Sequence, residues 1–218
     1  MFNFINANLT LKLIGLSFVA GLLSACAVGN TYDYQTQEPA FDIISAKEIA
    51  VGVLDQRPYI ITGNKESNFI GLQRGGFAVP YNVTTKSGEP LANDISTAIV
   101  NGMDASKINA KTYMLMPGND RKAARKNVLS SGSTRSLLIY LNEWKTDTYK
   151  NVALIYNVEA EVVGANGETI AKNNAVGREN LGGDFINPMA YATKHVPIAF
   201  SRVFGKLLNE QSIIDALK

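Results

Sequence analysis

The sequence predicts an α+β fold: a mixed or antiparallel sheet that ends in a three-strand meander and is covered by two to three helices. Three observations support this prediction. First, the 218 residues are 46% hydrophobic, which suffices to bury the core of one domain. Second, strand and helix patterns alternate between residues 47 and 131. Third, three strand patterns then follow in close succession, and Asn166-Gly167, a strong hairpin signal, joins the last two.

The first element is a strand over about residues 47 to 54. Ile49, Val51 and Val53 alternate there with smaller residues. Pro58 follows closely, and a proline favours the end of such an element.

Residues 59 to 90 are predicted to form a long irregular segment, because they hold five glycines and two prolines. Loops of this length without regular structure are uncommon and often functional. Arg74, Gly75, Gly76 and Phe77 form a candidate binding surface within it. The two glycines permit an exposed turn, and arginine and aromatic residues are enriched at binding hot spots. The alternative is a plain irregular connection.

A helix, a short strand and a second helix are predicted next. The first helix lies in "PLANDISTAIVNGM", where Pro90 suits the first turn and one side carries an apolar stripe of Leu91, Ile95, Ala98, Ile99 and Gly102. The strand is "KTYMLM". The second helix, "DRKAARKNVLSS", is predicted to begin with Asn119 or Asp120 as its cap.

Four basic residues of the second helix form a candidate patch for anionic lipid headgroups or phosphates. Arg121, Lys122, Arg125 and Lys126 lie within slightly more than one helical turn, and basic clusters of this kind bind anionic membrane surfaces. The alternative is a solvated helix face.

The three strands of the predicted meander are "SLLIYLNEW", "VALIYNVEAEVV" and "ETIAKNNAVGRE". In the middle strand, apolar residues alternate with Asn157, Glu159 and Glu161. This alternation predicts one buried face and one wet face.

The C-terminal residues are predicted to be helical. Asn187 suits the cap and Pro188 the first turn, while Pro197 is expected to kink or restart the helix. The chain ends in a short predicted helix whose apolar residues are Ile213, Ile214 and Leu217.

Residues 1 to 25 have the order of a secretion signal. Lys12 and the amino terminus supply positive charge, and "LIGLSFVAGLLSA" supplies 13 uncharged, mostly apolar residues. A run of this length is too short to cross a hydrocarbon layer of about 30 Å. A cleaved signal is therefore predicted, not a permanent membrane span.

The tetrapeptide Leu23-Ser24-Ala25-Cys26 resembles the lipobox of bacterial lipoproteins. The resemblance implies cleavage before Cys26, a covalent diacylglycerol on its thiol and an N-acyl chain, such as palmitate, on its amine, with no other cofactor. Outer-membrane lipid is then a partner through the acylated cysteine. Ala27, in place of an aspartate, implies the periplasmic face of the outer membrane. The alternative is an ordinary buried cysteine in an apolar helix.

The predicted organisation is a signal peptide over residues 1–25, an acylated cysteine with a flexible tether over residues 26–40, and a single α+β periplasmic domain over residues 41–218. The tether is predicted because "AVGNTYDYQTQEPA" is polar and has neither a helical nor a strand period.

The order of elements resembles the YajG family of uncharacterised bacterial outer-membrane lipoproteins. The residues that carry the resemblance are "LNEWKTDTYKNVALIYNVEAEVVGANGETIAKNNAVGRENLGGDF", the amphipathic helix after them, and "NEQSIIDALK". The resemblance implies an α+β periplasmic lipoprotein and supplies no catalytic residues. The segment "FIGLQRGGFAVPYNVTTKSGEP" departs from it in length and glycine content.

Few residues are candidates for catalysis. His195 is the one histidine, and acylation would remove Cys26 from any Cys-His pair. Glu159 and Glu161 lie about 6.5 to 7 Å apart along one strand face, which is compatible with glycoside cleavage by paired carboxylates. A solvated sheet face gives the same pattern. The sequence contains no zinc or EF-hand ligand pattern, so no metal is expected.

The formal net charge of +2 does not favour a nucleic-acid partner. The sequence therefore predicts a non-catalytic lipoprotein that binds or assembles with another envelope component, such as an envelope protein or peptidoglycan. The alternative is a hydrolase that acts on cell-wall glycan or lipid through Glu159 and Glu161 or through His195.

Overall fold

The computed structural model describes residues 29–41 and 47–218. The predicted signal peptide and Cys26 lie outside these residues, so the cleavage and acylation stay predictions. The described residues form one sheet of eight strands that carries five helices. The predicted α+β fold is confirmed.

The elements are numbered in chain order. The strands are β1 (Thr31–Tyr32), β2 (Ile49–Asp55), β3 (Phe69–Arg74), β4 (Pro80–Thr85), β5 (Ala110–Tyr113), β6 (Arg135–Thr148), β7 (Val152–Gly164) and β8 (Thr169–Asn180). The helices are α1 (Pro58–Ile61), α2 (Leu91–Ala105), α3 (Arg121–Leu129), α4 (Pro188–Leu208) and α5 (Gln211–Leu217).

The long strand β6 organises the sheet. On one edge, β2 lies parallel to its first seven residues and β3 lies parallel to its last three. On the other edge, β7 runs antiparallel to it, and β8 pairs with β7. β5 extends β2, while β4 and β1 extend β3. The sheet is therefore mixed, and the predicted meander is its antiparallel part.

Helices cover both faces of the sheet. Side chains alternate across each strand, so one face of β2, β6 and β7 forms the main core against α2, α4 and α5, with residues such as Ile49, Leu137, Leu154, Ile99, Phe204 and Ile213. The other face forms a smaller core against α3, which contains Ala50, Leu54, Leu138, Tyr140, Ala124 and Val128. None of the described helices combines the length and the apolar character that crossing a membrane requires.

Residues 31 to 34 do not belong to a flexible tether, contrary to the prediction for residues 26–40. β1 pairs with β4, and Tyr32 and Tyr34 are fully buried. Trp144 donates its Nε1–H to the Tyr34 hydroxyl oxygen at 2.9 Å, and their rings meet edge to face. The polar composition of this segment gave no indication that two of its aromatic side chains are buried in the core.

The prediction of an irregular segment over residues 59–90 is wrong. This range holds α1, β3 and β4, and Phe69, Ile70 and Val83 are buried. One of its glycines reflects close strand packing, because a Cβ at Gly71 would lie 2.1 Å from the Thr146 hydroxyl oxygen.

Two further predictions are corrected by tertiary packing. The face of β7 predicted to be wet is partly covered by α3, so that Glu161 is only 1% exposed. Helix α4 continues through Pro197, which excludes the restart, one of the two alternatives predicted for this proline. Its neighbours Val196 and Phe200 are buried, and this packing offsets the cost of about 3 kcal/mol that an interior proline carries.

Candidate functional site

The turn between β3 and β4 presents Phe77 to solvent. Gly75 N–H donates to the Val79 carbonyl, and Phe77 and Ala78 both adopt φ of 60°. This backbone region costs a residue with a side chain about 1–2 kcal/mol. The Phe77 ring is fully exposed, at 103% of its reference area. The turn therefore holds an aromatic ring outward in a defined conformation.

Arg74, at the base of this turn, is engaged within the molecule. Its Nε and Nη2 donate to the two carboxylate oxygens of Asp147 at 2.8 and 2.7 Å. The Asp147 carboxylate raises the pKa of Arg74 through these hydrogen bonds and its charge. Gly75 lies against the Tyr81 ring, which a Cβ there would approach to 2.9 Å. Of the four residues predicted as a binding surface, Phe77 is thus presented to solvent and Arg74 fixes the turn to β6.

Other exposed apolar side chains lie at the same end of the sheet. The turn between β6 and β7, the segment after β8 and the start of α4 all meet there, because β3 and β6 end where β7 begins and β8 ends. We call this surface the apolar end, and it consists of Phe77, Val79, Tyr81, Tyr149, Phe185, Ile186 and Met189.

Phe185 and Ile186 are the most exposed of the apolar-end residues that the sequence analysis missed. They are 80% and 93% exposed, and with Phe77 they are the three most exposed large hydrophobic side chains among the described residues. Large apolar surfaces are seldom left exposed without a binding role. The available signal was an apolar pair between Gly182-Gly183-Asp184 and Asn187-Pro188, which is unusual in a polar connection.

The first described residues lie beside the apolar end. A Cβ at Gly29 would overlap the Asn82 carbonyl oxygen, near the start of β4. The Asn30 side chain donates to the Met189 carbonyl at 3.3 Å and accepts from the Thr193 hydroxyl at 3.1 Å. The chain therefore joins the domain between the β3–β4 turn and the start of α4.

The predicted basic patch on α3 is half neutralised. Arg121 Nη1 contacts the Glu159 carboxylate at 2.8 Å, and Arg125 Nη2 contacts the Glu161 carboxylate at 2.5 Å. Lys122 and Lys126 are exposed. The two arginines hold α3 against β7. Of the four predicted basic residues, the two lysines therefore remain available to contact anions.

Glu161 is held as a buried carboxylate. It accepts hydrogen bonds from the Thr169 and Tyr140 hydroxyls, and Lys172 Nζ lies 3.4 Å away. Burial raises the pKa of Glu161, but the hydrogen bonds from Thr169 and Tyr140 and the charges of Arg125 and Lys172 outweigh it, so the pKa lies below its usual range. A general acid needs a raised pKa, so this carboxyl is poorly suited to protonating a leaving group.

The remaining catalytic candidates also have structural contacts. Glu159 accepts from Arg121 and lies 3.5 Å from Lys172 Nζ. The His195 ring stacks on Tyr191 with centroids 4.0 Å apart, and the Tyr191 hydroxyl donates to the Leu181 carbonyl. Within the part of the chain that the structure describes, no three His, Cys, Asp or Glu side chains are grouped so that they could hold a metal ion.

No known family model matches the sequence, and no curated protein matches it either.

Among solved structures, the chain is similar to protein XCC0632 from Xanthomonas campestris (family model DUF330), with a TM-score of 0.51 and 14% identity over 87% of this chain and 94% of that one. This likeness shows the fold alone. Lipoprotein GNA1162 from Neisseria meningitidis has a TM-score of 0.31 and 15% identity over 72% of this chain and 99% of that one. The PelC dodecamer from Paraburkholderia phytofirmans has a TM-score of 0.40 and 15% identity over 80% and 91%.

Proposed function

We propose that the protein is an envelope lipoprotein, held at the periplasmic face of the outer membrane by an acylated Cys26. Its domain is a non-catalytic binding or assembly module for another envelope component. The lipobox-like tetrapeptide and the signal before it support the anchor. The similarity to the YajG family, carried by the meander and the helix after it, belongs to the same proposal.

The observation that carries the binding role is the apolar end. Three large apolar side chains are almost fully exposed to solvent, namely Phe77, Phe185 and Ile186. Their exposure forgoes about 25 cal/mol of stabilisation for each Å² of apolar surface that burial would remove from water. The backbone of the Phe77 turn is closed by the Gly75–Val79 hydrogen bond, and binding through a preorganised turn loses less entropy than binding through a flexible loop. The catalytic candidates, in contrast, are engaged in ion pairs or ring contacts within the domain.

The anchor is tested by mass spectrometry of the N-terminal peptide of the protein purified from membranes. We expect the chain to begin at Cys26 and to carry a diacylglycerol thioether and an amide-linked acyl chain. The control is Cys26→Ser, for which the proposed acylation and the cleavage before residue 26 should both be lost. A wild-type chain that begins elsewhere or lacks lipid contradicts the proposed anchor.

The binding role is tested by photocrosslinking in intact cells from residue 77, with residue 170 as the control site. Ile170 is exposed but lies at the start of β8, at the other end of the sheet. We expect a specific adduct from residue 77 and none from residue 170. The same low background from both sites contradicts a binding role for the apolar end.

The hydrolase alternative predicts a different result. Replacing Glu159, Glu161 or His195 singly would abolish function in an enzyme that uses them. In a binding module, the replacements change function only as far as they change stability. Complementation of a deletion strain, scored together with the amount of folded protein, distinguishes the two.

A further inference from the structure

We infer that the apolar end of the domain contacts the lipid bilayer itself, so that the folded domain rests on the membrane with the β3–β4 turn and residues 185 and 186 in its interface. This inference rests on the proposed function, because it takes Cys26 as acylated. It identifies the envelope component that the apolar end meets as lipid.

The first argument is the short connection between the proposed anchor and the domain. Only Ala27 and Val28 separate Cys26 from Gly29. Three fully extended residues reach at most about 11 Å, and Gly29 lies against Asn82, beside the β3–β4 turn. An anchor at Cys26 therefore holds Gly29, and with it this end of the domain, within about 11 Å of the acylated residue.

The second argument is the kind of side chain found there. At this end, Phe77, Ile186 and Phe185 are the most exposed side chains, whereas Tyr81 and Tyr149 are closer to half exposed. Fully exposed apolar side chains accompanied by half-exposed tyrosines match the composition of a membrane interface, where the amphipathic ring of tyrosine lies at headgroup level. Lys150 is exposed beside them, with its Nζ 5.4 Å from the centre of the Phe185 ring.

Two acidic side chains at this end, Asp147 and Asp184, are engaged in hydrogen bonds within the domain. Asp147 binds Arg74 through both carboxylate oxygens. Asp184 accepts hydrogen bonds from the Ile186 and Asn187 N–H groups at 2.7 and 3.1 Å. The charge of Asp147 is thus compensated by Arg74, which reduces the repulsion that an anionic surface would meet at this end.

The third argument is that both apolar loops are held in place before any contact. The Arg74–Asp147 pair fixes the β3–β4 turn, and the Tyr191 hydroxyl holds the Leu181 carbonyl at 2.8 Å, just before the second loop. A surface ordered in advance loses little entropy on binding. A lipid surface, unlike a protein partner, also accounts for the apolar side chains lying at the same end of the domain as the segment that leads to the anchor.

The test uses the full-length acylated protein with a single introduced cysteine, Phe77→Cys or Ile186→Cys, labelled with a fluorophore whose emission depends on polarity. Cys26 is the chain's one cysteine, and acylation blocks its thiol, so the label is confined to the new site. The matched control is Ile170→Cys at the opposite end of the sheet. Each protein is incorporated into vesicles of phosphatidylethanolamine and phosphatidylglycerol with and without brominated acyl chains.

We expect a blue shift and several-fold quenching by the brominated lipid for labels at residues 77 and 186, and neither for the label at residue 170. If the protein is acylated but all three labels behave alike, the inference is wrong and the proposed anchor stands. If labels at 77 and 186 are quenched only weakly and become protected when envelope proteins are added, the partner is a protein and the lipid assignment is wrong. A chain that carries no lipid by mass overturns the anchor and this inference together.

Discussion

Glu161 connects three elements to its own strand, β7. It accepts from Tyr140 on β6 and from Thr169 on β8, and it pairs with Arg125 on α3. A buried carboxylate is tolerated only when donors and opposite charges surround it. Its role is therefore to hold α3 against the sheet, and this structural role explains why a pair of glutamates on a strand face need not indicate catalysis.

Replacing Glu161 by glutamine should destabilise the fold. The substitution keeps the shape but leaves the Arg125 and Lys172 charges without their closest carboxylate, so we expect the free energy of unfolding to fall by about 1–3 kcal/mol. Urea denaturation measures it. Glu168→Gln is the control, because Glu168 is exposed in the turn after β7 and should change stability by less than about 0.5 kcal/mol. Equal effects of the two substitutions would refute the structural role.

Glu161 should also make stability depend on acid pH. Its folded-state pKa lies below the usual value, so the folded state favours the ionised form, and this contribution is present above the unfolded pKa of about 4.3. It is lost as the pH falls below about 5 and on through the folded pKa. We therefore expect the wild type to lose stability more steeply than Glu161→Gln, and the two unfolding free energies to converge. Urea denaturation at a series of pH values tests this, and a difference that stays constant with pH contradicts it.

The elements differ in how much of their structure the nearby sequence determines. The strands β6, β7 and β8, the alternation in β7, the Asn166-Gly167 turn and the Asn187 cap are local signals that were predicted, and Asp120 was one of the two caps considered for α3. β1 has only two residues and forms because β4 offers an edge. β3 similarly depends on β6, more than 70 residues away. A window of sequence does not contain the partner strand, so these elements, and the meeting of residues 77 and 185 at one end, could not be predicted.

The docking of the N-terminal segment should contribute measurably to stability. Tyr34→Ala removes a fully buried ring and leaves the Trp144 Nε1–H without its acceptor. We expect a loss of about 3–5 kcal/mol, the usual cost of truncating a large buried aromatic residue. The measurement is thermal or urea unfolding of the whole protein, with the exposed Tyr149→Ala as control. A loss no larger than that of the control would mean that the segment is a free tether, as the composition alone suggests.

The two ends of the molecule have different surfaces. The apolar end lies where β7 begins, and α3 packs near the other end, where Arg125 contacts the Gly167 carbonyl in the hairpin turn. Glu161, beneath α3, is nine residues along β7 from Val152, which is about 30 Å at the rise of a strand. Charges interact over only about 8–10 Å at physiological salt. A bilayer that contacts the apolar end is therefore too far from Lys122 and Lys126 to interact with their charges. The apolar end and the lysines of α3 cannot contact the same membrane at the same time.

The distance between the two ends predicts that Lys150 contributes to membrane contact and that Lys126 does not. In the protein labelled at residue 186, Lys150→Glu should reduce quenching by brominated lipid, because a lysine near an anionic surface contributes about 1 kcal/mol. Lys126→Glu makes the same charge change on α3 and should leave the quenching unaltered. The Lys150→Glu effect should also shrink in about 1 M salt, where the screening length is about 3 Å. If Lys126→Glu reduces the quenching as much as Lys150→Glu does, the domain lies on the membrane through α3, and the assignment of the apolar end is wrong.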